Sequence, residues 1–92
     1  MSIKVLIPAP LRRYAGNQDS LQLDGQSVGE VMGDLTARYG ELKKHLYGED
    51  GRLRNFVNIY VNDEDIRNLA QEGTVVQPTD VISIVPSIAG GR

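Results

Sequence analysis

The sequence predicts a two-layer α+β roll, in which one main helix covers one face of a four- or five-stranded sheet. Three observations carry this reading. Short stretches rich in β-branched residues lie at the start, middle and end of the chain, one longer stretch repeats its apolar residues at helical spacing, and polar turn signals separate them. The 92 residues make one domain, since a chain of this size buries only about 60 to 65% of its unfolded surface and builds a single core. A deep, walled pocket of the kind a large self-contained enzyme needs does not fit in it. The expected body spans residues 1–86, followed by a flexible tail, 87–92.

Ile3 to Ile7 reads as the first strand and stops at Pro8-Ala9-Pro10, where two prolines remove backbone donors and force an extended exit. Leu21-Gln22-Leu23 alternates as a half-buried second strand, closed by Asp24-Gly25, and forms a hairpin with the first. Ser27-Val28-Gly29-Glu30 has the spacing of a capping box, which starts a helix. Val28, Val31, Met32, Leu35 and Tyr39 then share one helical face that packs on the sheet, and Gly40 stands where a left-handed C-terminal cap belongs. Gly29 and Gly33 each cost the helix up to about 1 kcal/mol in propensity, which close packing or fraying has to absorb. Glu41 to Tyr47 continues as a short helical turn, and Gly48 to Arg52 is a glycine-bounded loop. Phe56 to Val61 is the strongest strand. Asn62-Asp63-Glu64-Asp65 turns the chain, Ile66 begins a brief strand, and Thr74-Val75-Val76 is another extended piece. Pro78-Thr79-Asp80 turns into the last strand, Val81 to Val85.

Composition narrows the chemistry. With no Cys, a disulfide framework, a thiolate zinc site, an iron–sulfur cluster and a cysteine nucleophile are all excluded. Ten Lys and Arg against twelve Asp and Glu give a net charge of −2, with no general pull toward phosphate backbones, so nucleic acid is not an expected partner. No stretch approaches the roughly 20 apolar residues of a membrane span, and the start of the chain lacks a basic stretch leading into an apolar one. A cytoplasmic protein without membrane attachment is expected, and the absence of Cys is compatible with that compartment.

Several residues invite a chemical role and mostly have a simpler one. His45, the sole histidine, has no Cys beside it to build a metal site and reads as a surface residue, so no metal ligands are assigned. Asp63-Glu64-Asp65 reads as a solvated turn rather than a cation site, because three adjacent acids do not face one point. Arg12-Arg13-Tyr14 and Arg52-Leu53-Arg54 read as solvated loops. In the strongest strand, Phe56, Asn58 and Tyr60 alternate with Val57, Ile59 and Val61. The β-branched set is expected to meet the helix, which leaves Phe56 and Tyr60 on the open face as candidates for docking a partner. The alternatives are that Phe56 and Tyr60 belong to the core while Val57, Ile59 and Val61 face outward, or that both faces are buried.

The tail, Ser87-Ile88-Ala89-Gly90-Gly91-Arg92, contains no acid, one base and two consecutive glycines. A frayed terminus is the simplest reading of such a segment taken alone. Gly-Gly also has the freedom and slenderness to thread a narrow channel in another protein and bring its carbonyl close to reactive atoms. Taken with the rest of the chain, the tail acquires a context. The hairpin, the single main helix, the Phe56-Val57-Asn58-Ile59-Tyr60-Val61-Asn62 strand and turn, the last strand ending Val85-Pro86, and Ala89-Gly90-Gly91 together resemble the ubiquitin-like sulfur carrier proteins of the ThiS/MoaD type, over essentially the whole chain. The stretch Phe56 to Arg67 looks most like the actinobacterial sulfur carriers of cysteine biosynthesis.

That resemblance implies a β-grasp (ubiquitin-like) roll with a mixed sheet, and a protein that is not itself an enzyme and binds no cofactor. It implies that the carboxylate of Gly91 is adenylated by a ubiquitin-activating-type enzyme using ATP, and that sulfur displaces AMP to leave a thiocarboxylate. Ala89, Gly90 and Gly91 would thread the partner's active site, with Phe56, Tyr60, Pro86 and Ile88 contributing to docking. The implied partners are the adenylating sulfurtransferase, a pyridoxal-phosphate-dependent cysteine synthase that forms a carrier–cysteine adduct, and a metalloprotease that releases the amino acid. Thiamine-pathway carriers, the small subunit of molybdopterin synthase and ubiquitin-like modifiers joined to lysines are the alternatives within the same resemblance. Arg92 departs from the pattern, because active carriers end in Gly-Gly. Either it is removed before activation or it blocks activation.

Overall fold

A computed structural model of the chain describes residues 2–86. Five strands form one sheet: β1 (Ser2–Leu6), β2 (Ser20–Asp24), β3 (Val57–Val61), β4 (Glu64–Asp65) and β5 (Val81–Pro86), in the spatial order β2-β1-β5-β3-β4. The β1–β5 pair is parallel and the others antiparallel, so the sheet is mixed. Helices α1 (Val28–Arg38) and α2 (Gly40–Leu46) cover one face. The buried side chains of β1, β2, β3 and β5, including Ile3, Val5, Leu23, Ile59 and Ile82, meet Val28, Val31, Met32, Leu35, Leu42 and Leu46 of the helices in one core. Period-two alternation in the strands and the i, i+3, i+4 stripe in α1 therefore converge on the same apolar layer.

Local chemistry explains the boundaries of α1. The Ser27 hydroxyl accepts the Glu30 amide at 3.2 Å, while the Glu30 carboxylate reaches back to the Gln26 amide at 3.0 Å rather than to that of Ser27. At Gly29 a Cβ would lie 3.1 Å from the Glu72 carbonyl oxygen. The close packing that this glycine implies is thus against the Gln71–Gly73 turn, not the sheet. Gly33 is exposed and meets nothing.

Three expectations are corrected. Gly40 is not a left-handed cap: Tyr39 ends α1 and is also the N-cap of α2, so Gly40 opens the second helix. The extended exit after β1 ends at Pro8, and Ala9–Tyr14 winds into a 3-10 helix with Pro10 in its first turn, where a missing N–H leaves no intrahelical bond unmade. The brief strand is Glu64–Asp65, and Ile66 begins a 3-10 turn capped by the Asp65 carboxylate. The extended piece Thr74-Val75-Val76 is present as expected, in an isolated antiparallel bridge from Val75 to Ser27, with Val76 buried. Among the described residues no helix is long and apolar enough to cross a membrane.

Candidate functional site

The last strand is held on both sides. β5 lies between β1 and β3, and its final residue, Pro86, pairs with Val57. The tail candidates Ile88, Ala89, Gly90, Gly91 and Arg92 lie outside the described residues, and the chain reaches them from a strand held on both sides.

The face away from the helices carries the other candidates. In β3, Val57, Ile59 and Val61 are buried in the core, whereas Asn58 and Tyr60 are half-buried and Phe56, just before the strand, is 43% exposed. The expected division of this strand is the observed one. Tyr60 pairs with Ser83, which in turn pairs with Leu6, so Leu6, Ser83 and Tyr60 form one row across three strands. Asn58 and Val85 form the next row. A shallow depression of about 300 Å3 is lined by Tyr60, Asn62, Asp63, Ser83 and Val85. Pro86 falls on the other parity, that of buried Ile82 and Ile84, and does not share this face. Leu6 and Val85, 38% and 43% exposed, belong to the open face and were not among the sequence candidates. Their alternation with Val5, Ile7, Ile82 and Ile84 was the available signal.

Arg67 is a further residue that the sequence pattern did not single out. Its Nη2 donates to Asp65 Oδ2 at 2.8 Å and to Asn58 Oδ1, and its backbone amide donates to Asp65 Oδ1 at 2.8 Å. The Arg67 side chain holds the Asp65 carboxyl below its ordinary range, and the same hydrogen bond raises Arg67. Of the three consecutive acids, then, Asp63 and Glu64 are exposed while Asp65 is paired. The spacing Asp65-Ile66-Arg67 was the signal, an Asp side chain bonding the amide two residues on.

The remaining candidates have structural work. His45 is not a free surface residue: it is half-buried and stacks on the Tyr14 ring with centroids 4.2 Å apart, fastening the 3-10 helix to α2. Arg12 Nε donates to the Ile7 carbonyl at 3.0 Å. Arg54 lies in an exposed loop, as expected, and its Nε and Nη2 also donate to the Lys44 carbonyl at 3.1 and 2.9 Å, near the end of α2. Tyr47 is pushed up to about 12 by burial, with Glu72 nearby adding to the effect.

A parallel β1–β5 pair at the centre, antiparallel strands outside it and one helical layer are the layout of the β-grasp fold, which makes this a ubiquitin-like protein. Sequence comparison defines it further. The chain belongs to the ThiS family, the ubiquitin-like sulfur carriers, whose profile matches residues 5–91 and so includes Gly90-Gly91. It is 40% identical over 93 aligned residues to the sulfur carrier protein CysO of Mycobacterium tuberculosis, covering 99% of this chain and 100% of that one. It superimposes on the Amycolatopsis orientalis BexX/CysO complex with a TM-score of 0.86 at 36% identity, covering 97% of this chain and 99% of the other. Small archaeal modifier protein 1 from Methanosarcina acetivorans matches with a TM-score of 0.84 at 33% identity, over 98% and 96% of the two chains.

Proposed function

We propose that this protein carries sulfur on its C-terminal glycine for biosynthesis, with cysteine as the product. The observation that carries the reading is the whole-length likeness to CysO, at 40% identity, in a family match that runs through Gly91. A carboxylate is a poor electrophile. A Gly91 carboxylate oxygen attacks the α-phosphorus of ATP held by the activating partner, and pyrophosphate leaves. Sulfide sulfur then attacks the acyl carbon of the mixed anhydride and AMP leaves, giving a thiocarboxylate that is a soft nucleophile at neutral pH. The chain is a co-substrate in this scheme and supplies no catalytic group. Ala89 and Gly90 thread the partner's active site, and only the form ending at Gly91, with Arg92 removed, is competent.

Phe56 and Tyr60 on the open face, with Ile88 in the tail, form the docking surface in this reading, while Pro86, on the opposite parity of β5, roots the tail without adding to that face. The downstream partners are a pyridoxal-phosphate-dependent cysteine synthase and a metalloprotease that frees the amino acid. The test is intact mass spectrometry after incubation with the activating enzyme, ATP and sulfide. A mass gain equal to exchange of one oxygen for sulfur in the Gly91-terminated form supports the reading; the same gain in the Arg92-terminated form overturns the requirement for processing.

The likeness to small archaeal modifier protein 1 supports a second reading, conjugation of the terminal glycine to lysines of other proteins. Peptides from cell extracts bearing a Gly-Gly remnant on lysine, lost when Gly90-Gly91 is deleted, distinguish it from sulfur transfer.

A further inference from the structure

Along one flank of the sheet, β3 is longer than its neighbour. β4 pairs only with Tyr60 and Val61, and β5 occupies the opposite side, so among the described residues no strand flanks Val57–Ile59 on the β4 side, although the Val57 amide there already donates to the Arg54 carbonyl at 3.0 Å. An open groove of about 350 Å3 follows this stretch. Its apolar lining includes Val57, Ile59 and Ile66, which are anchored in the core. Its polar lining includes Arg54 and Arg67, and both guanidinium groups are already fixed, Arg54 on the Lys44 carbonyl and Arg67 on Asp65 and Asn58. In each, the Nη1 group has no partner among the described residues. Gln71, also on the groove, holds a φ of 56°, a left-handed conformation that non-glycine residues seldom adopt and that concentrates at functional sites.

We propose that this groove binds an extended, acidic peptide segment of a partner protein, laid beside β3 as an added strand with its carboxylates on Arg54 and Arg67. An open strand flank over an apolar lining suits an extended main chain rather than a compact anion. The charges select the chemistry of the side chains: two arginines stand against one aspartate, which is already engaged by Arg67. Guanidinium groups held in place lose little freedom on accepting a carboxylate. The chain's own last six residues are mismatched as an occupant, since they contain no acid and one base. The site is independent of the sulfur reading, and its test uses no sulfur chemistry.

The test is an amide-shift titration of the isotope-labelled full chain with a short synthetic peptide of alternating Glu and Val. A copy with Gln for Glu and free glutarate are titrated alongside. Expected are shifts concentrated in residues 53–59 and 65–71 that weaken as salt is raised, with affinity for the Glu peptide falling about tenfold in Arg54→Gln and in Arg67→Gln, as loss of a charge-assisted hydrogen bond predicts. Equal binding of the Gln peptide, equal shifts from glutarate, or no shifts in these residues overturns the proposal. The peptide comparison uses the unaltered chain, so it stands even where a variant folds poorly.

Discussion

Val57 lies directly across the sheet from Pro86, so the last described residue of β5 sits in register with the first residue of β3. The point from which the tail departs is therefore part of the sheet ladder, and its position depends on the core beneath it. Ile84, two residues earlier, is 3% exposed and pairs with Ile59. Ile84→Ala is expected to cost about 3 kcal/mol of stability through lost burial and a residual cavity, read as a lowered urea midpoint at unchanged slope. A loss below about 1 kcal/mol would mean that the site collapses without strain.

The two glycines inside α1 should respond differently to a methyl group. Gly33 is exposed, and a methyl placed on its Cα would meet no other atom, so Gly33→Ala is expected to stabilise the protein by up to about 1 kcal/mol through helix propensity. At Gly29 the same methyl meets the Glu72 carbonyl oxygen at 3.1 Å, and the Gln71–Gly73 turn has to move. Gly29→Ala is expected to lose that gain and lower the thermal midpoint below that of Gly33→Ala.

Acid should loosen the protein through three aspartates. The Asp24 amide, helped by Arg38, lowers Asp34; the Arg67 side chain lowers Asp65; and the Gln77 amide, helped by Asn62, lowers Asp80. Each folded value lies below the ordinary 3.8, so the folded chain releases these protons more readily than the unfolded one. Their stabilising contribution is fully present above the unfolded value and is lost as the pH falls through the folded values. All three are near the surface, so salt reduces the effect of Arg38 and Arg67. Denaturation midpoints measured down the acid limb should fall less steeply for Asp34→Asn than for the unaltered chain, and identical limbs would count against the Asp24 contact.

The open sheet face makes a separate demand. Phe56 is exposed, so Phe56→Ala is expected to change stability by less than about 1 kcal/mol while weakening binding to the activating enzyme. Calorimetric titration with that enzyme, alongside circular dichroism of the variant, checks both halves. Loss of the folded signal would place Phe56 in the core instead.

The alternation of Val57, Ile59 and Val61 with Asn58 and Tyr60 was readable because one face of the sheet is dry and the other wet, and period two then shows in composition. The α1 stripe was readable for the same reason at period 3.6. Gly40 misled because glycine permits a left-handed cap without requiring one, and the apolar pair Leu42 and Leu46 drew the chain straight into α2. The two-residue strand β4 carries no periodicity at all, since its partner and the Asp65–Arg67 contact define it. For the candidate site, the open face followed from one strand. The exposure of Leu6 and Val85 was readable in their alternation with buried neighbours, but their place in the rows of Tyr60 and Asn58 depended on register between strands far apart in sequence, which a single chain's pattern does not contain.

The last described residue of β5 is Pro86, and the proposed chemistry is placed on glycines beyond it. Removing Gly90-Gly91-Arg92 takes away no paired backbone among the described residues, so the thermal midpoint of the shortened chain is expected to match that of the full one. Sulfur loading, by contrast, should vanish. Its terminal carboxylate is displaced by two residues from Gly91, about 7 Å along an extended chain, and a carboxylate that far from the adenylating centre does not meet the α-phosphorus of ATP. Gly91→Ala in the chain ending at that position keeps the reach but adds a Cβ where the reading requires a slender terminus, and slower loading at unchanged binding is the expected result. Loading of the shortened chain at the rate of the Gly91-terminated form, measured by intact mass, would show that the glycines are not the site of attachment.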